Sequence, residues 1–222
     1  MAVQTLAPPF TAGRSVKRLS QVVNGYRKEE TMKLNSLSDV LIEVLGKLYS
    51  AEQQLVEALP NMALAAHSYE LREAFESHLV ETRSHVERLE QAFADMEIRF
   101  APSKTCKAMQ GLVQDGDDII SATGDSVAID AALIGAAQRV EHYEIACYGA
   151  ARALAGELGL DTTSSLLDQT LDEENKANKL LTKLAAGGLL SSGINRLAAT
   201  RSDGDGDIAV GEEAVAEEPV PD

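Results

Sequence analysis

Apolar residues recur with a 3.6-residue period from Leu34 to Leu197, and this pattern limits most of the chain to amphipathic helices. Each such helix must bury its apolar face against another element, so the helices have to pack together. Hydrophobic residues make up 45% of the 222-residue chain, which is enough for a sizeable core. Ala, Leu and Glu are abundant and Trp is absent, which favours helices over strands. The sequence therefore predicts an all-α fold.

Breaks in the periodic pattern divide it into four long helices and two short ones. The first long helix should begin at Ser36 or Ser38, and a kink is expected at Pro60. The expected long helices cover residues 36–66, 70–97, 126–158 and 162–186, and the short helices cover residues 106–122 and 189–198. Two tight hairpins joined by one long crossover that contains a short helix are typical of a ferritin-like four-helix bundle.

The two ends of the chain differ in composition from this helical region. Residues 1–33 begin with a stretch rich in Lys and Arg, and we interpret them as a disordered basic extension. Its origin could be an organelle transit peptide or a translated region upstream of Met32. Residues 199–222 should form a disordered acidic tail, because so polar a segment cannot offset its ordering entropy by burial. The bundle itself is expected to span residues 34–198.

Charge and hydropathy exclude several classes of partner. The formal net charge of −15 argues against binding to nucleic acid, which requires clustered Lys and Arg. No apolar run reaches the roughly 18 residues that predict a membrane span, so we expect a soluble protein without a membrane partner. Cys106 and Cys147 belong to no paired motif and are interpreted as core thiols, which suits a reducing, cytoplasmic location.

Acidic and histidine residues interrupt the apolar face of each long helix. They are Glu52 on the first helix, His78, Glu81 and His85 on the second, Glu141 and Glu144 on the third, and Glu174 on the fourth. Glu173 is the alternative to Glu174, and His142 could support the cluster or lie at the surface. Tyr49 and Tyr148 could bond to these residues or simply pack in the core.

Several buried carboxylates together are tolerable only when cations or protons neutralise them. The spacing from Glu52 to Glu81 is 29 residues and that from Glu144 to Glu174 is 30, which indicates an internal repeat of two hairpins around a two-metal site. The predicted metal ligands are Glu52, Glu81, His85, Glu141, Glu144 and Glu174. Oxygen ligands with one or two imidazoles suit iron or manganese better than zinc or copper. We expect two metal ions, and iron in preference to manganese. The second half lacks a histidine, since Asn178 stands four residues after Glu174.

Five segments carry a resemblance to a known family. They are YSAEQQL (residues 49–55), HLVET (78–82), CKAMQGL (106–112), DAALIGAAQRVEHYEIACYG (130–149) and LDEENKA (171–177). Together they resemble the YciE/YciF family of ferritin-like bacterial stress proteins, over roughly residues 37–186.

The resemblance implies a homodimeric bundle with a dinuclear metal site, a role in stress and no established reaction. By position it places family residues on Glu52, on His78 and Glu81, on Glu141 and Glu144, and on residues 172–174. Members often read LEEEK where this chain reads LDEEN, so one acid is shortened and the lysine is replaced.

Three functions remain open from the sequence. The first is a di-iron or di-manganese carboxylate protein that reacts with dioxygen or peroxide, or handles the metal, under stress. The second is a non-catalytic helical structural or interaction module whose metal site is degenerate. The third is manganese-dependent dismutation of peroxide in the same fold. Whether the chain is an enzyme is left open.

Overall fold

The computed structural model describes residues 34–98, 105–188 and 191–202. Its helices are α1 (Leu37–Ala65), α2 (Tyr69–Asp95), α3 (Lys107–Ile120), α4 (Ser126–Glu157), α5 (Asp161–Ala186) and α6 (Ile194–Ser202). Two short strands, β1 (Gly187–Gly188) and β2 (Ser191–Ser192), lie between α5 and α6. The predicted basic extension, and the acidic tail beyond Ser202, fall outside the described residues.

Short polar side chains define where the long helices begin. The Ser36 hydroxyl accepts from the backbone N–H of Asp39, whose carboxylate accepts in turn from the Ser36 N–H, so Ser36 rather than Ser38 caps α1. Ser68 caps α2, and Asp125 caps α4 by accepting from two backbone N–H groups. Pro60 lies inside α1, which continues past it to Ala65.

The helices pair as the sequence predicted. α1 packs against α2 and α4 packs against α5, while α2–α5 and α1–α4 contacts bring the two hairpins together. The crossover helix α3 packs on α1 and α4. The all-α, ferritin-like four-helix bundle with a long crossover is therefore confirmed.

The apolar core consists of two clusters. One contains Leu55, Leu59, Phe75, Ile134 and Leu181, and the other contains Leu41, Leu45, Leu89, Ala151 and Leu167. Along α1 and α2 the two clusters are separated by the stretches that carry the polar residues. A polar layer therefore crosses the middle of the bundle.

The region after α5 differs from the expectation. The predicted helix at residues 189–198 is wrong at its start, because β1 and β2 pair antiparallel before α6 begins at Ile194. Gly187 has a φ of 79°, which favours glycine and ends α5. A Cβ at Gly193 would collide with the backbone of Ala186, so this reversal also needs a glycine there.

Within the described residues, no helix combines the length and the apolar character that crossing a bilayer requires.

Candidate metal centre

The polar layer is built from six buried residues on four helices. They are Glu52 on α1, His78 and His85 on α2, Glu141 and Glu144 on α4, and Glu174 on α5. Four of them have no exposed surface, and the most exposed of the six, His78, shows only 6%. Water therefore does not solvate these charges.

The six residues form two groups that share one carboxylate. His78, Glu141, Glu144 and Glu174 make a quartet, and Glu52, His85 and Glu174 make a trio; within each group the potential ligand atoms lie within 4.8 Å of one another. Oε1 of Glu174 is 3.0 Å from Nδ1 of His85, whereas Oε2 is 3.6 Å from Nε2 of His78. Glu174 thus presents one oxygen to each group, as a carboxylate that bridges two metal ions does.

Many atoms of the layer have no hydrogen-bond partner in the structure. Among the described residues, eight buried side-chain atoms are unpaired, including both oxygens of Glu144 and both of Glu174. His85 Nδ1 approaches Glu174 closely, but the contact lacks hydrogen-bond geometry. An unpaired buried polar atom costs about 1–3 kcal/mol, and more for a charged group. These orphaned oxygen and nitrogen atoms fit the ligand set of two cations.

Protons neutralise part of the polar layer. Burial raises the pKa of Glu144 well above its ordinary value, and the neighbouring Glu174, Glu52 and Glu141 raise it further. Burial also raises the pKa of Glu141, to about 8, against the opposing effect of His78. Burial opposes protonation of the two histidines, but the surrounding carboxylates prevail and bring the pKa of His78 to about 9 and that of His85 to about 11.

Outside the layer, an ion pair fixes the orientation of His85. Its Nε2 donates to Glu173 across 3.0 Å, and the Arg88 guanidinium donates two hydrogen bonds, of 2.6 and 2.9 Å, to the same carboxylate. Nδ1 of His85 is therefore turned toward Glu52 and Glu174. Holding a ligand imidazole through its second nitrogen is a usual feature of metal sites. The periodicity did not reveal Arg88, because a charged side chain at the edge of a helix face carries no distinct signal.

Glu173 and Glu174 occupy different places, which bears on the choice between them. Glu173 is one-quarter exposed and pairs with Arg88, whereas Glu174 is fully buried between the two groups. Burial opposes ionisation of Glu174, but His85 and His78 outweigh it and lower its pKa. Glu174 is thus the carboxylate of the two that lies, ionised, inside the buried layer, and its role as a ligand stays a prediction.

The tyrosines differ in their partners. Tyr148 is buried and donates to Oε1 of Glu52 across 2.5 Å, so it contacts the layer directly. Tyr49 instead donates to Glu90 across 3.0 Å.

Two further residues named from the sequence lie outside both groups. The Glu81 side chain is 42% exposed, and its carboxylate lies 3.4 Å from Nδ1 of His78 on the outer side of that ring. His142 is exposed and donates to the carbonyl of Gln138 across 2.6 Å. The structure therefore brings together Glu52, His85, Glu141, Glu144 and Glu174, and adds His78. The role of Glu81 as a ligand stays a prediction.

A domain-of-unknown-function family, DUF892, matches residues 36–195. Protein YciF of Escherichia coli (strain K12) is 41% identical over 154 residues, which cover 69% of this chain and 93% of that protein.

Solved structures match at the level of the fold as well. The crystal structure of the E. coli stress protein YciF matches with a TM-score of 0.66 and 40% identity, covering 68% of this chain and 95% of that one. YcfI of Rhodopseudomonas palustris, for which a structural role has been suggested, matches with a TM-score of 0.67 and 37% identity, covering 70% and 99%.

Proposed function

The chain belongs to the DUF892 family, and we propose that its bundle holds a dinuclear metal carboxylate centre that acts in oxidative protection or metal handling under stress. The proposal extends the description of the E. coli relative as a stress protein to this chain. It assigns the quartet to one metal ion, the trio to the other, and Glu174 to both.

One observation carries the proposal: two buried ligand groups share a carboxylate whose oxygens have no other partner. A solvated acidic cluster would be exposed, and a structural polar network would pair its atoms internally. The layer is buried, and apart from the bonds of Tyr148 to Glu52 and of His85 to Glu173 most of its polar atoms are unpaired. The potential ligand atoms of each group lie within 4.8 Å of one another, where a pair of cations would satisfy them.

The proposed metal is iron, with manganese as the second choice. Each group offers one imidazole, and its remaining donors are carboxylates. This donor set suits iron and manganese better than copper or zinc. Either metal, when bound, supplies redox chemistry with dioxygen or peroxide. The residues of this chain orient the ligands, as Glu173 does for His85, and exclude water from the layer.

A structural role is the second candidate, because the Rhodopseudomonas relative has been given that description. In that case protons would neutralise the layer permanently, and the ion pair between Arg88 and Glu173 would serve to fix how α2 packs on α5. This candidate predicts that the folded chain takes up no metal.

The test measures metal content. The chain is produced in cells supplied with iron and manganese, purified without chelators, and analysed for metals beside Glu144→Gln and the matched control Glu157→Gln. Glu157 lies exposed on the same helix, so its replacement should leave the content unchanged. About two ions per chain in the wild type and control, and fewer in Glu144→Gln, would support the centre. A wild type that stays metal-free after anaerobic reloading would overturn it.

Activity is tested next on the loaded protein. Consumption of hydrogen peroxide with iron or with manganese bound separates oxidative protection from peroxide dismutation that depends on manganese. The homodimer and the cytoplasmic location remain predictions. Sedimentation equilibrium would test the first, and cell fractionation the second.

A further inference from the structure

A pocket of about 120 Å³ opens between α2 and α5, beside the polar layer. Its floor is formed by Leu55 and Leu59 of α1 and by Val140 of α4, and Phe75 and Leu181 line its sides. Most of the surface that lines the pocket is apolar. The pocket therefore offers little to a charged or strongly hydrated molecule.

The pocket touches only one half of the layer. His78 and Glu141, both of the quartet, form part of its wall, whereas Glu52 and His85 of the trio do not. The trio is enclosed elsewhere, by Tyr148 against Glu52 and by the Arg88–Glu173 pair against His85. A molecule in the pocket would therefore meet the quartet and be kept away from the trio.

The polar groups at the pocket favour an uncharged occupant. Glu81 and Lys176 line it with opposite charges, and Ser77 adds a neutral hydroxyl. Because the two charges offset each other, neither an anion nor a cation is selected. The volume sets the size: an apolar cavity of about 150 Å³ in another protein accommodates benzene. Pockets lined by apolar residues with a few convergent polar groups are the usual form of small-molecule sites.

We propose that this pocket binds a compact, uncharged apolar organic molecule, about the size of one aromatic ring, and presents it to the quartet as the substrate of the centre. Binding depends on the pocket alone, whereas the role as substrate rests on the proposed metal centre. The apolar walls would hold the body of the molecule, and the wall at His78 and Glu141 would set which end faces the metal.

The first experiment uses benzene as the probe and measures its binding to the metal-free full-length chain by saturation-transfer NMR and titration. Ala74→Leu and Ala177→Leu each place a larger side chain at the pocket, at half-buried positions that tolerate it. Ala94→Leu, on the exposed face of α2, is the matched control. We expect benzene to bind at least tenfold more weakly to both pocket variants. The control should bind benzene with the same affinity as the wild type. Absence of binding to the wild type, or equal binding in all four proteins, would overturn the proposal.

The second experiment locates the probe relative to the centre. With Mn²⁺ loaded, a benzene molecule against the quartet should show strongly enhanced proton relaxation, and this enhancement should vanish in Ala177→Leu. Bound benzene without enhancement in the manganese-loaded chain would refute the substrate role. If the chain takes up no metal while benzene still binds and the pocket variants weaken it, the pocket is supported and the failure falls on the proposed centre.

Discussion

Replacing Glu141 by Gln should change the stability of the metal-free chain in a direction that depends on pH. Glu141 is 3% exposed, and burial raises the pKa of its carboxyl from 4.5 to about 8. The folded chain therefore holds this proton more tightly than the unfolded chain. A group with a raised pKa loses stabilisation as pH rises, here between 4.5 and about 8. Glutamine does not titrate and avoids that loss.

The size of the effect follows from the same pKa. Each pH unit in this interval removes about 1.4 kcal/mol of stability, so the upper limit at pH 8 is about 4–5 kcal/mol. His78 and Glu174 interact with Glu141 and share its proton equilibrium, which reduces the net change. We expect Glu141→Gln to match the wild type at pH 5 and to exceed its free energy of unfolding by about 1–3 kcal/mol at pH 8.

Urea denaturation at pH 5, 6, 7 and 8, in chelator, measures this difference, with Glu157→Gln as the control on the same helix. Bound metal should reduce the advantage of the variant. A ligand at 100 times its Kd stabilises the wild type by about 2.7 kcal/mol, and tenfold weaker binding in the variant removes about 1.3 kcal/mol of that. If the stability difference in chelator does not vary with pH, or if the variant is the less stable protein at pH 8, Glu141 is already ionised and paired, and the reasoning fails.

Three further predictions concern the surroundings of the centre. Arg88→Met removes the ion pair that holds Glu173 against His85, so metal affinity should fall about 10- to 100-fold. Competition with a chelating dye measures the affinity, and Arg83→Met, at an exposed position, should leave it unchanged. Tyr148→Phe leaves a buried oxygen of Glu52 without its donor and should cost the metal-free chain about 1–3 kcal/mol; an unshifted urea midpoint would contradict that hydrogen bond. Because the histidines and carboxyls of the layer hold protons, metal binding should release them and tighten as pH rises from 6 to 9. Titration calorimetry in two buffers of different ionisation enthalpy counts these protons, and a count of zero would be inconsistent with the raised pKa values.

Helical periodicity predicted the fold and the burial of several polar side chains. It placed Glu52, Glu144 and Glu174 among apolar neighbours, and all three are fully buried. Periodicity was less informative about which residues are buried at the edge of a helix's apolar face. At about 100° per residue, His85 lies about 20° from His78 around the helix, whereas Glu81 lies about 60° away. That difference separates a buried ring from a carboxylate that is 42% exposed.

Features that depend on contacts between distant segments could not be read from the sequence. Asp130 of α4 is buried, and its carboxylate accepts from the backbone N–H groups of His67 and Ser68. These two residues lie in the turn between α1 and α2, in the other hairpin. The pairing of Arg88 with Glu173 likewise joins two helices that are far apart in sequence. Composition and periodicity describe one helix at a time. They therefore do not predict which distant residue Asp130 or Arg88 contacts.

The burial of the trio has a consequence for how the protein would acquire the proposed metal ions. The quartet keeps a little exposed surface, 6% at His78 and 3% at Glu141, whereas Glu52 and His85 have no exposed surface at all. An ion can approach the quartet from solvent. It reaches the trio only when the middle turns of the bundle separate while the apolar clusters on either side stay packed. Loading should therefore be biphasic, and the slow phase should report the rate at which the bundle itself opens.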